Sequence, residues 1–262
     1  MLLKDKVIVV SGIGPGLGVK LAVEAAREGA RGIVLAARSP EKLDDAQNRV
    51  RAVSTGCETL KLRTDIRDSQ QCIHLAEAAL QRFGRIDGLV NSAFEHGPFE
   101  PVALGDLKHW YAAYETNVAG SMQMTRAVVP AMQAQGGGSI VMINTMAALK
   151  PFGGEAGYAV SKGALLVAAK YLALELGPSN IRVNTARMGW MWGAPVQGYV
   201  AQTAQRQGIP EKQIVDSIAA NIPLRRIVTD DECARAALFL LSDYASAITG
   251  VVIDVNGGEV MP

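Results

Sequence analysis

Cysteine is scarce in this chain: Cys57, Cys72 and Cys233 are the only three in 262 residues, an odd number at wide spacings. That argues against a disulfide framework and a paired-cysteine metal site, and the expectation is reduced thiols in a cytoplasmic protein. Histidine is as sparse. His74, His96 and His109 show no metal-ligand spacing, so no metal is expected. Neither sign of charge is in excess, with 26 Lys and Arg against 25 Asp and Glu, and a nucleic-acid partner would need a cationic surplus that is missing. No apolar run reaches the roughly 20 residues of a membrane span. The opening MLLKDKVIVV is broken by Lys4, Asp5 and Lys6 and lacks the cleavage site of a secretory leader, so no membrane partner is expected.

What the chain does have is apolar content, 49% of residues, and 27 glycines. Apolar runs of strand length recur at Val7 to Ser11, Ile33 to Arg38, Thr59 to Arg63, Gly88 to Asn91, Ser139 to Asn144, Ile181 to Ala186 and Val251 to Val255. Stretches with helical periodicity lie between them, near Leu17 to Glu28, Glu41 to Val53, Ser69 to Phe83, Asp106 to Gln133, Tyr158 to Leu176 and Asp230 to Leu241. Strands rich in Val, Ile and Leu without alternation are covered on both faces. The alternation predicts an α/β fold with a doubly wound parallel sheet. No composition break divides it, so residues 1–262 form one domain. The segment from about 189 to 223 mixes Gly, Pro, Trp, Met and polar residues without a strand, and a stretch of that kind reads as a substrate loop or lid.

The first strand runs into SGIGPGLG, which opens a helix. The general GxGxxG fingerprint fails because Leu17 stands where its third glycine would be, and the P-loop fails because Lys20 does not follow a glycine. The spacing that fits is Gly12, Gly16 and Gly18: a tight turn after a strand, followed by helix N-terminal amides able to approach a pyrophosphate. About 20 residues on, a cofactor with a free ribose 2′-hydroxyl calls for an acid at the end of the second strand. Ala37 takes that place and Arg38 follows, with donors suited to a 2′-phosphate. NADP(H) is therefore favoured, with NAD(H) as the alternative. Pro15 in the loop leaves only one evident cation for that phosphate.

YAVSK puts Tyr158 and Lys162 on one helix face, where an ammonium beside a phenol favours the phenolate and makes it a usable proton donor and acceptor. YxxxK alone is weak, and Tyr158 would serve equally as a packed aromatic.

The joint pattern is stronger. Gly12, Gly16 and Gly18, TDI with Asp65, LVNSA at 89–93, NVAG from Asn117, GSIVMINT, YAVSK, IRVNTARMG and ITGVVIDVNGG follow in an order that resembles the short-chain dehydrogenase/reductase family over nearly the whole chain. The resemblance implies a single-domain Rossmann-like fold and hydride transfer between a nicotinamide cofactor and a carbonyl or secondary alcohol. It makes Tyr158 the general acid or base, Lys162 its partner and a ribose contact, and Asn117 the anchor of a proton relay. Cofactor contacts fall on Gly12, Pro15, Gly16, Leu17, Gly18, Arg38, Asp65, Ile66, Asn91, Ser92, Ala93, Tyr158, Lys162, Gly189 and Met191. Homo-oligomers, tetramers or dimers, are expected through the helices starting near Asp106 and Tyr158.

Several positions depart from the family pattern. Counting thirteen residues back from Tyr158 reaches Thr145 where a serine is usual; its hydroxyl still suits orienting the substrate oxygen. NNAG has become NSAF, with Phe94 for a glycine. Met188-Gly189 replaces Pro-Gly, and Trp192 or Gly193 stands where a hydroxyl residue is common. Trp190 and Trp192, with Met188 and Met191, wall a pocket for a hydrophobic ketone or alcohol, or pack a subunit interface. Two other functions stay open at this point: reduction of a 3-oxoacyl thioester, and a non-catalytic dinucleotide sensor.

Overall fold

The computed structural model describes residues 1–261. Seven parallel strands build the central sheet: β1 (Val7–Ser11), β2 (Gly32–Ala37), β3 (Glu58–Arg63), β4 (Gly88–Asn91), β5 (Gly138–Thr145), β6 (Ile181–Met188) and, after the short β7 (Met191–Trp192) and β8 (Val228–Thr229), β9 (Val252–Val255). Their order is β3-β2-β1-β4-β5-β6-β9, and β7 pairs with β8 apart from the sheet. The helices are α1 (Leu17–Arg27), α2 (Pro40–Val53), α3 (Ser69–Phe83), α4 (Leu107–Tyr114), α5 (Ser121–Ala134), α6 (Ala156–Leu176), α7 (Ala194–Gln207), α8 (Glu211–Ala219) and α9 (Asp230–Leu241).

Pleating makes two cores from one strand. In β1, Ile8 and Val10 pack with α1, α2 and α9, whereas Val7 and Val9 pack with α3, α5 and α6. This is why the strands lack alternation: both faces are buried under helices. The chain leaves β1 toward β2 and β3, then crosses back so that β4 flanks β1 on its other side. Strand order reverses there, opening a crevice at the carboxyl ends of the strands.

Three expectations change in detail. The helix foreseen over Asp106 to Gln133 is α4 and α5 joined through a wider π-helical turn, Glu115–Gly120. Apolar periodicity cannot resolve one inserted residue, and such turns recur at functional sites. The strandless 189–223 segment contains β7, α7 and α8, with Val200, Ala204, Ile214 and Ile218 in a small core of their own. Gly and Gln dilute that pattern in sequence. Arg38 lies just beyond β2 rather than within it, exposed at the strand end.

Candidate active site

The crevice holds a cavity of about 620 Å³ running from the glycine loop to Tyr158. Its shape begins with β1. Gly12 has φ +97°, and a Cβ there would lie 2.2 Å from the Ala93 amide nitrogen, so only glycine lets the loop press against the end of β4. A Cβ on Gly18 would lie 2.1 Å from the Gly12 carbonyl oxygen. The loop is thereby folded back on the start of α1. That helix has Gly16 as its N-cap, with no side-chain cap and no acid in its first turn. Leu17 and Gly18 line the cavity beside Pro15 and Gly16. Unblocked helix N-terminal amides of this kind suit an anion such as a pyrophosphate.

At the β2 end the wall is Ala37, Arg38, Ser39 and Lys42, followed by Thr64, Asp65, Ile66 and Arg67. Lys42 was not foreseen. It sits on the first turn of α2, four residues after Arg38, and only the turn into that helix brings the two cations to one cavity. Asp65 is held by Arg67, whose Nη2 is 2.6 Å from Oδ2, and this guanidinium keeps its carboxyl below the usual carboxylate range. Ser92, Ala93 and Phe94 close the β4 side.

The opposite end carries Thr145 at the end of β5, Tyr158 and Lys162 on α6, and Met188, Gly189 and Met191 at the end of β6. Lys162 is 2% exposed; its Nζ donates to the Ile143 carbonyl at 2.8 Å and lies 5.9 Å from the Tyr158 ring centre. Burial pushes its ammonium down to about 7. The Tyr158 phenol moves up, because burial outweighs the opposing hydrogen bond from Thr145. Burial thus moves the two groups in opposite directions, the phenol up and the ammonium down. A protonated phenol is a proton donor, the form that carbonyl reduction uses.

Four expected site residues lie outside the cavity wall. The side chain of Asn91 is turned into the protein, its Nδ2 donating to Thr125 Oγ1 at 3.1 Å. Asn117, in the π-helical turn, accepts from the Glu95 amide at 2.7 Å and donates to the Glu95 carbonyl at 2.9 Å and to Ser161 Oγ at 2.8 Å. Ser161 Oγ in turn donates to the Tyr158 carbonyl at 2.7 Å, so Asn117 ties the segment after β4 to the catalytic helix. Trp190 packs with Phe152 and Tyr199, their ring centres 6.3 and 5.5 Å away. Trp192, in β7, packs with Trp190 against the α7–α8 core. Trp192 follows the short β7–β8 pairing, which spacing could not reveal.

His96 stacks on Tyr158 with ring centres 4.7 Å apart, and its Nε2 lies 3.7 Å from Glu155 Oε1. The Glu155 carboxylate raises its pKa. Phe94, 54% exposed, stands 6.2 Å from the Tyr158 ring, centre to centre. We expect Asn117→Ala to destabilise the fold by about 1–3 kcal/mol, because one buried and two partly buried groups lose their hydrogen bond. Urea denaturation measures it, and a change below about 0.5 kcal/mol would deny Asn117 this tying role.

Comparison with known proteins agrees with this architecture. Residues 12–259 match the family model described as Enoyl-(Acyl carrier protein) reductase. The chain belongs to the short-chain dehydrogenase/reductase family. Among similar proteins, Dehydrogenase/reductase SDR family member 4 of Oryctolagus cuniculus is 33% identical over 98% of this chain and 94% of its own. The 3-oxoacyl-[acyl-carrier-protein] reductase FabG of Thermotoga maritima is 32% identical over 100% of both chains. L-Sorbose reductase from Gluconobacter frateurii, solved with NADPH and L-sorbose, superposes with a TM-score of 0.93 at 30% identity, covering 100% of this chain and 99% of that one. NAD+-bound xylitol dehydrogenase gives 0.89 at 29% identity, covering 98% of this chain and all of the other. This short-chain dehydrogenase/reductase is accordingly an NAD(P)-dependent oxidoreductase rather than a non-catalytic dinucleotide sensor. The glycine cradle and the uncapped start of α1 fit the cofactor's pyrophosphate.

Proposed function

We propose that this enzyme uses NADPH to reduce a hydrophobic ketone, and in reverse oxidises the secondary alcohol. One observation carries the reading: a single cavity has Arg38 and Lys42 at one end and Thr145, Tyr158 and Lys162 at the other. The nicotinamide cofactor, when bound, supplies the hydride that goes to the carbonyl carbon. Tyr158 donates the proton to the carbonyl oxygen, and the Thr145 hydroxyl orients that oxygen. Lys162 and the glycine loop hold the cofactor, with Asp65, Ile66, Ser92, Ala93, Gly189 and Met191 along its length. The backbone at Asn91 extends that wall, and Asn117 positions α6. Phe94, Met188 and Met191 in the cavity wall support a lipophilic substrate, with Trp190 and Trp192 behind them on the α7–α8 core.

The test is a panel of cyclic, aromatic and aliphatic ketones and a 3-oxoacyl thioester, each with NADPH and NADH, read by loss of the reduced-nicotinamide absorbance. Turnover of apolar ketones with NADPH is the expected outcome. The thioester arm is included because FabG of Thermotoga maritima aligns over the full length. Thioester turnover exceeding that of every ketone would replace this reading with the second one.

Thr145→Ser is expected to stay within about threefold of wild type, and Thr145→Val to lose roughly tenfold or more, the worth of one substrate hydrogen bond. Equal kcat/KM in the two variants would remove Thr145 from the reaction.

A homo-oligomer is part of the same proposal. Tyr111 and Tyr114 on α4 and Val160, Val167, Tyr171 and Leu174 on α6 are exposed apolar side chains on elements that pack together. A light-scattering mass of one chain would refute it. Three free, buried, unpaired thiols support a cytoplasmic setting. Among the described residues no helix is long and apolar enough to cross a membrane.

A further inference from the structure

A second carboxyl belongs to the cavity, and sequence reasoning did not single it out. Asp230 is 3% exposed, lines the cavity, and its Oδ2 has no hydrogen-bond partner among the described residues. An orphaned buried carboxyl oxygen is costly and calls for a reason.

The usual reasons fail. Asp230 opens α9, but that helix is already capped: Glu232 N donates to Thr229 Oγ1 at 3.3 Å, and Thr229 N donates to Glu232 Oε2 at 2.9 Å. The nearby cation is taken as well, since Lys20 Nζ pairs with Asp231 at 2.9 Å. What Asp230 occupies is the space beside Gly193. A Cβ at Gly193 would lie 1.8 Å from Asp230 Oδ2 and 2.5 Å from Oδ1, so no side chain fits at 193 while Asp230 is there. Gly193 is also one of the two positions, with Trp192, at which a hydroxyl residue is common in the family. The carboxyl of α9 thus fills the space that a side chain at 193 would need.

We propose that Asp230 is a cofactor-binding residue whose carboxyl accepts a hydrogen bond from the amino group of the nicotinamide carboxamide. The proposal rests on the reading that the nicotinamide lies at the Tyr158 end of the cavity. Among the cofactor's parts near Gly189 to Gly193 the carboxamide offers N–H donors, whereas the pyrophosphate offers only acceptors and negative charge. Asp230 Oδ2 also lies 3.7 Å from where a Cβ at Gly16 would stand, at the edge of the pyrophosphate loop, and a carboxylate there favours an N–H donor over a phosphate oxygen. Burial raises the Asp230 carboxyl above its ordinary value, as expected of an acceptor with no donor of its own.

The experiment measures dissociation constants by fluorescence titration for wild type, Asp230→Ala and Asp230→Asn. Three ligands are used: NADPH, its 3-acetylpyridine analogue, in which methyl replaces the amino group, and 2′-phospho-ADP-ribose, which lacks the nicotinamide. If NADH binds wild type more tightly, the NAD series replaces them. Wild type should bind the acetylpyridine analogue roughly tenfold more weakly than the natural cofactor, and Asp230→Ala should bind the two alike. Asp230→Asn, which keeps an acceptor without the charge, should retain most of the discrimination. All three proteins should bind 2′-phospho-ADP-ribose within about twofold of one another. Equal weakening or equal tightening of all three ligands by Asp230→Ala would overturn the proposal, because the carboxyl would then act on the fold or the phosphates. So would wild type that fails to discriminate. Failure of wild type to bind any cofactor would overturn the cofactor reading itself.

Discussion

Replacing Tyr158 by phenylalanine is expected to lower kcat by roughly 10²- to 10⁴-fold while leaving the dissociation constant for the cofactor within about twofold. The change deletes one oxygen from a side chain whose ring neighbours those of His96 and Phe94, and the ring contacts survive it. What is lost is the proton that must reach the substrate oxygen as hydride reaches carbon. The phenol is held above its ordinary pKa by burial, so it stays protonated across the neutral range and remains a donor. Reduction should therefore not lose its donor as pH rises through neutrality. The reverse oxidation needs the phenolate and should gain rate as pH rises. Steady-state kinetics in both directions, with cofactor titration beside them, check the prediction. Turnover of Tyr158→Phe within tenfold of wild type would remove the phenol from the chemistry.

The second large effect concerns the cations at the β2 end. Arg38→Leu combined with Lys42→Ala is expected to weaken NADPH binding about a hundredfold and NADH binding by no more than about threefold. A charge-assisted hydrogen bond to phosphate contributes roughly 1.5–3 kcal/mol. Both side chains are exposed, and solvent screening places each at or below the low end of that range, about tenfold apiece. The same screening makes the wild-type preference for NADPH fall as salt is raised. Calorimetric titration of both cofactors into both proteins, at two salt concentrations, measures this directly. Should wild type bind NADH as tightly as NADPH, or the double variant keep the wild-type ratio, these are ordinary solvated cations.

Much of the fold was written along the chain. Valine, isoleucine and leucine without alternation mean strands covered on both faces, and helical stretches between them mean parallel crossovers, so the doubly wound sheet followed from local pattern alone. The strand from Gly88 to Asn91 was legible to the residue, because glycine and charge bound it sharply. The glycine loop and the Tyr158–Lys162 pair were equally readable, since both depend on spacing within one element or one turn.

Other features depend on residues distant in sequence, or on backbone detail finer than a periodicity. The π-helical turn around Asn117 alters a helix by a single residue, below the resolution of a hydrophobic pattern. Lys42 counts as a second cation only because α2 turns back over the end of β2. The two tryptophans were assigned to the cavity by proximity to Gly189 in sequence, whereas both pack against the α7–α8 core, Trp192 from within β7.

By itself the sequence determined the parallel α/β architecture, the tight glycine loop and the paired tyrosine and lysine, because each arises from interactions between near neighbours in the chain. Tertiary structure alone decided the burial that moves the phenol up and the ammonium down, and the meeting of Asp230 with Gly193. For the first, water must be excluded before a phenol rises or an ammonium falls. The second joins residues 37 positions apart, whose side-chain volumes compete for one space only after α9 has packed beside the end of β6.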